Sequence, residues 1–453
     1  MTPLTSRGRA RAERRHPSPR LRASAPAGPA DARRRGRATR AGLLTAALAA
    51  LLATAAAPTA TAAPDTSPSP PAVAQAEVPA GVTAGVAVFD RQTGTFTEQV
   101  NSAGQFRSAS VVKLLLALDV LWGRTPESLP AADRTRIDTM LRSSNDAAAS
   151  TIWANNGGGA IIDRMVARLG LTDTARPPAT HPGYWGYTAM SARDTVRIYR
   201  YLLDSAPAPV RDYVLGNLRQ STRCASDGYD QHFGIAGSFN RPWAVKQGWS
   251  GFTSGGCTPA AATGTAPAAK AAGTAAPTAV ATGTAAPTAV ATGTAAPTAK
   301  AAAPAARAGA GAAAVDLSRP ALHTTGLVGP GDRAIVAVLT LHPTGTTYGK
   351  AYTDVGRLTR SLNVPGATRP AGTWIGTWGS GVRVRAQAST DSAAITTLPA
   401  GVEVLVGCQK RGQQVSVPPY VNDWWAHLPQ LGGYMTNIYL SSPDNQVPGV
   451  PVC

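Results

Sequence analysis

The sequence predicts an α/β (α+β) domain whose sheet is built from both ends of the domain around a helical subdomain, followed by a small all-β barrel. Three observations predict this. Strand-type runs open the folded region near Val82 and return between 242 and 341, helical patterns fill the space between them, and after Pro370 the pattern changes to period-two strands with tight turns.

The chain of 453 residues starts with a segment that belongs to export rather than to the fold. Residues 1–40 carry twelve Arg against Glu13 and Asp31, an apolar run continues to Ala57, and Ala60-Thr61-Ala62 follows. A positive region, an apolar region and an A-x-A site form the layout of a secretory signal, so 1–62 is expected to be removed after Ala62. The Ala-rich apolar run is short for a span, so no integral membrane span is expected after cleavage. The mature protein is expected outside the cell, secreted or cell-wall associated. Arg33-Arg34-Arg35 leaves twin-arginine export open. This N-terminal surplus supplies more than half of the net charge of +18, and the remaining charge forms no cluster, so no nucleic-acid partner is expected. Residues 63–79, with Ser67-Pro68-Ser69-Pro70-Pro71, read as an extended leader.

The folded elements follow in order. The run from Val82 to Asp90 is a strand, Arg91-Gln92-Thr93-Gly94 supplies turn chemistry, and Thr95 to Val100 returns as its hairpin partner. Helical patterns cover 110–122, 131–154, 160–169, 191–204 and 209–219, with Ser191 to Asp194 as the N-terminal cap of the fourth. Strand-type runs at 242–248, 320–328 and 333–341 and a helix over 347–362 complete the domain. Within it lies 258–314, where AAGTAAPTAV, ATGTAAPTAV and ATGTAAPTAK succeed one another. These repeats contain no aromatic, Leu or Ile to pack between coils, so the segment is expected to be a disordered insertion with its ends close together at the rim of the sheet. Loop closure costs rise only logarithmically with length, which makes such an insertion tolerable.

Four cysteines, Cys224, Cys257, Cys408 and Cys453, suit an oxidising exterior and allow three pairings. None sits in a C-x-x-C pair, so disulfides are favoured over a metal, and no cofactor is expected. The first of them is Cys224, so none near the cleavage site could carry a lipid.

Ser110-Val111-Val112-Lys113 opens a strongly apolar helix, where positions i and i+3 share a face, so the Lys113 amine can meet the Ser110 hydroxyl. A helix N-terminus favours negative charge developing beside Ser110. Ser143-Ser144-Asn145 lies at a loop-to-helix junction, and Lys246-Gln247-Gly248 ends a strand-type run. In that order, S-x-x-K, S-x-N and K-x-G, residues 80–363 resemble the penicillin-recognising serine hydrolases, most closely the catalytic domain of class A β-lactamases. The resemblance implies a β-lactamase/transpeptidase-like fold and an acyl-enzyme at Ser110, with Lys113 as proton acceptor and Ser143 as proton relay. It further implies that Asn145 orients substrate amides, that Lys246 attracts a substrate carboxylate, that Gly248 lets the strand approach the substrate, and that the amides of Ser110 and Trp249 hold the oxyanion. The implied substrates are β-lactams or peptidoglycan D-alanyl peptides.

Three features depart from that family. Residues 171–190 contain no Glu to activate a deacylating water, leaving Asp173 and His181 as the acid–base candidates there, each better explained as a turn or surface group. Gln247 stands where the family has a hydroxyl. The stretch from Ser110 to Ser143 is also short. These departures predict acylation followed by slow turnover.

After a linker at 364–372, residues 373–453 resemble a bacterial SH3-like domain in Val382-Arg383-Val384-Arg385, Leu398-Pro399-Ala400-Gly401 and Gly432-Gly433-Tyr434-Met435. Trp424, Trp425 and Tyr434 are expected first as core, and alternatively as a groove for cell-wall peptide or glycan. With these domains, Cys224–Cys257 and Cys408–Cys453 is the only pairing that keeps each bridge within one of them. The competing functional class is a non-catalytic cell-wall binding protein that keeps the fold.

Overall fold

The computed structural model describes residues 76–257 and 315–453. The expected signal, the leader up to residue 75 and the repeat insertion lie outside the described residues. The hairpin is present as β1 (Thr83–Asp90) and β2 (Thr95–Val100), followed by a short strand β3 (Phe106–Arg107). The helical part comprises α1 (Lys113–Val120), α2 (Ala131–Arg142), α3 (Asp146–Asn155) and α4 (Ala160–Leu169); then come β4 (Ala189–Met190), α5 (Ala192–Asp204), α6 (Ala208–Arg219) and the single turn α7 (Ile235–Ser238). Strands β5 (Trp243–Ser250), β6 (Ala321–Val328) and β7 (Ala334–Leu341) and helix α8 (Tyr348–Ser361) close the domain.

The main sheet has the order β2-β1-β7-β6-β5 with every neighbour antiparallel. The two ends of the domain therefore meet at its centre, where β1 pairs with β7 and Val86 lies opposite Val338. Both faces are covered. Phe89, Leu327, Ile335 and Leu339 pack towards α1, α5 and α6, while Val86, Val88, Val336 and Val338 pack towards α7 and Leu358 of α8. This is why β7 reads as a continuous apolar run instead of an alternating one. Helix α1 is buried all round, with Leu114, Leu115, Leu116 and Leu118 each at most 1 % exposed. A lysine at the head of such a helix has nowhere to go but into the protein.

The sequence pattern predicts one helix over 131–154, but two are found. The break at residues 143–145 has a local cause: the Ser143 hydroxyl donates back to the Thr139 carbonyl at 2.9 Å, Ser144 takes φ +54°, and the Asn145 side chain accepts from Ala148 N at 2.8 Å as the cap of α3. The cap expected at Ser191 is present, its hydroxyl accepting from Asp194 N at 3.1 Å.

The C-terminal region is all-β, with β8 (Thr373–Gly376), β9 (Val382–Arg385), β10 (Ala394–Leu398), β11 (Glu403–Val406), β12 (Cys408–Val417), β13 (Tyr420–Leu428) and β14 (Gly433–Thr436). It does not close into the expected barrel. β10-β9-β14-β13-β12 form one sheet, and β11 pairs only with β8, so two sheets face each other across Val384, Val404, Val406, Ala426 and Met435. Trp425 is core at 1 % exposure, whereas Trp424 and Tyr434 are half-buried. The segment 364–372 is more than a linker, since Val364 joins the core, Asn240 N donates to the Thr368 carbonyl at 2.8 Å, and Arg369 donates to the carbonyls of Arg360 and Leu362. Glu403 of β11 accepts from Arg357 and Arg360 of α8, which fastens the all-β region to the first domain. Cys224–Cys257 and Cys408–Cys453 are bonded, with Cα atoms 5.6 Å and 5.1 Å apart.

Candidate active site

Ser110 lies in a 3-10 turn, Ala109–Val112, that runs into α1. Ala109 is held at φ +44°, a conformation that non-glycine residues adopt only when surrounding structure enforces it. Here β5 presses on the turn: a Cβ on Gly248 would lie 3.0 Å from Ser108 O and 3.2 Å from Ser110 N. A Cβ there would crowd the turn unless it gave way by a few tenths of an ångström.

Lys113 is fully buried. Its Nζ donates to Ser110 Oγ at 2.8 Å, to the Ser144 carbonyl at 2.7 Å and to Asp146 Oδ1 at 2.6 Å, with Ser144 Oγ at 3.2 Å. Lys246, 1 % exposed, donates to the same Ser144 hydroxyl at 2.9 Å and to the Gln247 carbonyl at 3.0 Å. The Ser144 hydroxyl thus links both amines. Burial pulls the Lys113 amine below the ordinary lysine range, with the Asp146 carboxylate opposing the shift. Lys246 is driven well below its ordinary value by burial and by the charge of Lys113.

The structure joins Ser110, Lys113, Lys246 and Gly248 but not Ser143 or Asn145. The second element is one residue further along, with Ser144 and Asp146 facing the amine while Ser143 and Asn145 are spent on the ends of α2 and α3. Its reason is the helix break, because Asn145 is committed as a cap and residues on either side of it share the opposite face. The pattern Asn-Asp-Ala-Ala carries that signal, as Asn is among the strongest N-cap residues. Gln247 turns away from the cluster and donates to the carbonyls of Gln231 and Phe233 at 3.0 Å and 2.8 Å.

Asp173 and His181 stay outside the cluster. Asp173 accepts from Ser191 and Arg193, and His181 lies with Tyr184 and Tyr187 in the segment before β4. Asp194, fully buried, ties that segment down by accepting from the amides of Thr172 and Asp173. It contributes Trp185 to the site instead of an acid, and the Trp185 ring lies 4.8 Å from Lys113 Nζ.

Ser110 opens onto a cleft of about 270 Å³, whose walls include Asp146, Trp185, Tyr187, Asp227, Tyr229 and Trp249. No family model matches the chain. The chain is 40% identical over 175 residues to "Putative lipoprotein LppW" of Mycobacterium bovis and of Mycobacterium tuberculosis, a match covering 37% of this chain and 54% of those proteins. It thus spans about half the length of the curated relatives it matches. Similar solved structures include a class A beta-lactamase from Mycobacterium abscessus (16% identity, 92% of that chain, TM-score 0.38) and PBP-A (14% identity, 89% of that chain, TM-score 0.39). Each of these covers 62% of the present chain.

Asp227 was not singled out by sequence reasoning. It lies in the loop after Cys224, and its carboxylate accepts from Trp249 Nε1 at 3.0 Å. Low-polarity surroundings, with Asp146 adding to their effect, raise it above the usual carboxylate range. No spacing marks it, since the fold alone brings 227 beside 249. Among the described residues no group of His, Cys, Asp or Glu is arranged to hold a metal ion, and no helix is long and apolar enough to cross a membrane.

Proposed function

We propose that this protein is an exported serine hydrolase of the penicillin-recognising type that forms an acyl-enzyme at Ser110. The observation that carries this reading is the 2.8 Å contact between Ser110 Oγ and the fully buried Lys113 amine. A lysine kept from water can exist as the free amine and so accept a proton. In the reaction, Ser110 Oγ attacks the acyl carbonyl and its proton passes to Lys113 Nζ. The amides of Ser110 and Trp249 receive the oxyanion. The Ser144 hydroxyl, bonded to both lysines, passes a proton to the departing amine or alkoxide, taking over the role the motif gave to Ser143. Water then releases the acid, slowly, because residues 171–190 bring Trp185 and no carboxylate to the Lys113 amine.

The candidate substrates are β-lactams and peptidoglycan D-alanyl peptides. The all-β region, with its SH3-like landmarks, would hold the enzyme to the cell wall, and the name of the mycobacterial relatives supports a place in the envelope. The test is labelling of the full chain with a fluorescent penicillin. The proposal expects covalent label that is lost in Ser110→Ala and in Lys113→Ala, with losses that do not add in the double variant because the two act as a unit. Absence of label on folded protein with any acylating probe would leave the non-catalytic wall-binding alternative.

A further inference from the structure

The cleft has an unusual charge pattern for an enzyme expected to take a carboxylate. Among the described residues two carboxylates stand in its walls: Asp146, whose side chain is 59% exposed, and Asp227, which accepts from Trp249 Nε1. Among the described residues, neither Lys nor Arg lines it. The two lysines lie beneath the surface, and Lys246, the expected carboxylate anchor, is spent on Ser144 Oγ and the Gln247 carbonyl. Gln247 faces the other way. Arg107, at the rim beside Gly251, is occupied by the carbonyls of Leu317 and Arg319. The remaining wall is aromatic: Trp185, Tyr187, Tyr229, Trp249 and Phe252 line it, and the Tyr229 and Trp249 rings lie 5.6 Å apart.

Carboxylates set among aromatic faces are the chemistry that recognises ammonium groups, through ion pairing and attraction to the ring quadrupole. We propose that the acyl donor of this site carries a cationic amine, an ammonium or alkylated ammonium a few bonds from the scissile carbonyl, received by Asp227 and Asp146 between the aromatic walls. This rests on Ser110 being the nucleophile and adds the charge class of its substrate. It also fits the demands of the reaction. When Lys113 is the free amine, Asp146 has lost its cation, and both lysines are shifted towards neutrality by burial. The cleft is then net negative, and a cationic substrate restores the balance.

The experiment uses p-nitrophenyl esters of three acids of matched length: a trimethylammonium acid (γ-butyrobetaine), its uncharged isostere with carbon in place of nitrogen, and the anionic hemiglutarate. Acylation forms the Ser110 Oγ–acyl bond, breaks the acyl C–O bond, releases p-nitrophenolate, and sends the serine proton to Lys113. The expected order is cationic over neutral by roughly tenfold, with the anionic ester slowest, and Asp227→Asn brings the cationic-to-neutral ratio towards one. Equal rates, or a faster anionic ester, overturn the proposal. Independently of chemistry, the corresponding cationic and neutral amides are titrated into full-length Ser110→Ala protein and followed by the fluorescence of Trp185 and Trp249. Tighter binding of the cationic amide that is lost in the added Asp227→Asn change supports the charge class even if no ester reacts, in which case the nucleophile assignment alone has failed. No preference for the cation overturns the charge class even if Ser110 is acylated.

Discussion

Replacing Asp146 by Asn tests how the nucleophile is activated. The Asp146 carboxylate lies 2.6 Å from Lys113 Nζ and favours the protonated amine, which cannot act as a base. In a partly polar setting a full ion pair is worth about 4 kcal/mol at 4 Å. The Asp146 side chain is 59% exposed, so solvent screening removes much of that. What remains is on the order of 1 to 2 kcal/mol. The sign is fixed: without the negative charge the free amine is favoured, and Lys113 titrates at lower pH. The acid limb of the acylation profile should therefore move to lower pH, and the rate on that limb should rise about tenfold. Asp227→Asn should move it the same way by less, because Asp227 favours the charged amine more weakly. The assay is the second-order rate of labelling by a fluorescent penicillin, measured across the pH range in which circular dichroism shows folded protein. An acid limb that stays in place, or moves up, would refute Lys113 as the base.

Further outcomes are expected elsewhere. Gly248→Ala places a Cβ against backbone atoms of Ser108 and Ser110, so it should cost about 1 to 3 kcal/mol in a urea titration and lower labelling at least roughly tenfold. His323 is fully buried, its Nδ1 accepts from Thr340 N at 3.0 Å and its Nε2 meets the Arg107 carbonyl at 2.8 Å, which uses both nitrogens of the neutral ring. Burial lowers its pKa to about 4 from 6.5, so the unfolded chain takes up a proton in that window and the folded chain does not. Its contribution is complete above pH 6.5 and is lost as pH falls towards 4, on the order of 3 kcal/mol. Denaturant midpoints that rise on acidification, or that fall no further in wild type than in His323→Asn, would contradict this. The bridge Cys408–Cys453 closes a separation of 45 residues, so Cys453→Ser should destabilise the all-β region by up to about 4 kcal/mol, read as early loss of near-ultraviolet signal.

Much of the fold was legible because its elements carry strong local signals. β7 is a dense apolar run, α5 starts at an evident cap, and Arg91 to Gly94 is turn chemistry that can hardly be anything else. Both disulfides followed from the requirement that a bridge stay within a domain. The junction between α2 and α3 was misread by one residue because two serines stand side by side. The three-residue motif fits either frame until it is known that Asn145 is used as a cap. Asp227 and Trp185 were invisible for another reason: they reach the site through tertiary contacts from loops whose own sequences encode turns. The five-plus-two arrangement of the C-terminal strands was likewise hidden, since strand patterns fix which residues face inward but not which edges join.

The most direct measurement of the central claim is peptide mass spectrometry of the full chain after reaction with penicillin, set beside the Ser143→Ala and Ser144→Ala variants. One acyl adduct on Ser110 is predicted, formed at a wild-type rate in Ser143→Ala and much more slowly in Ser144→Ala. An adduct on any other residue, or the reverse ranking of the two serine variants, would contradict the assignment of Ser110, Lys113 and Ser144 as the acylating unit.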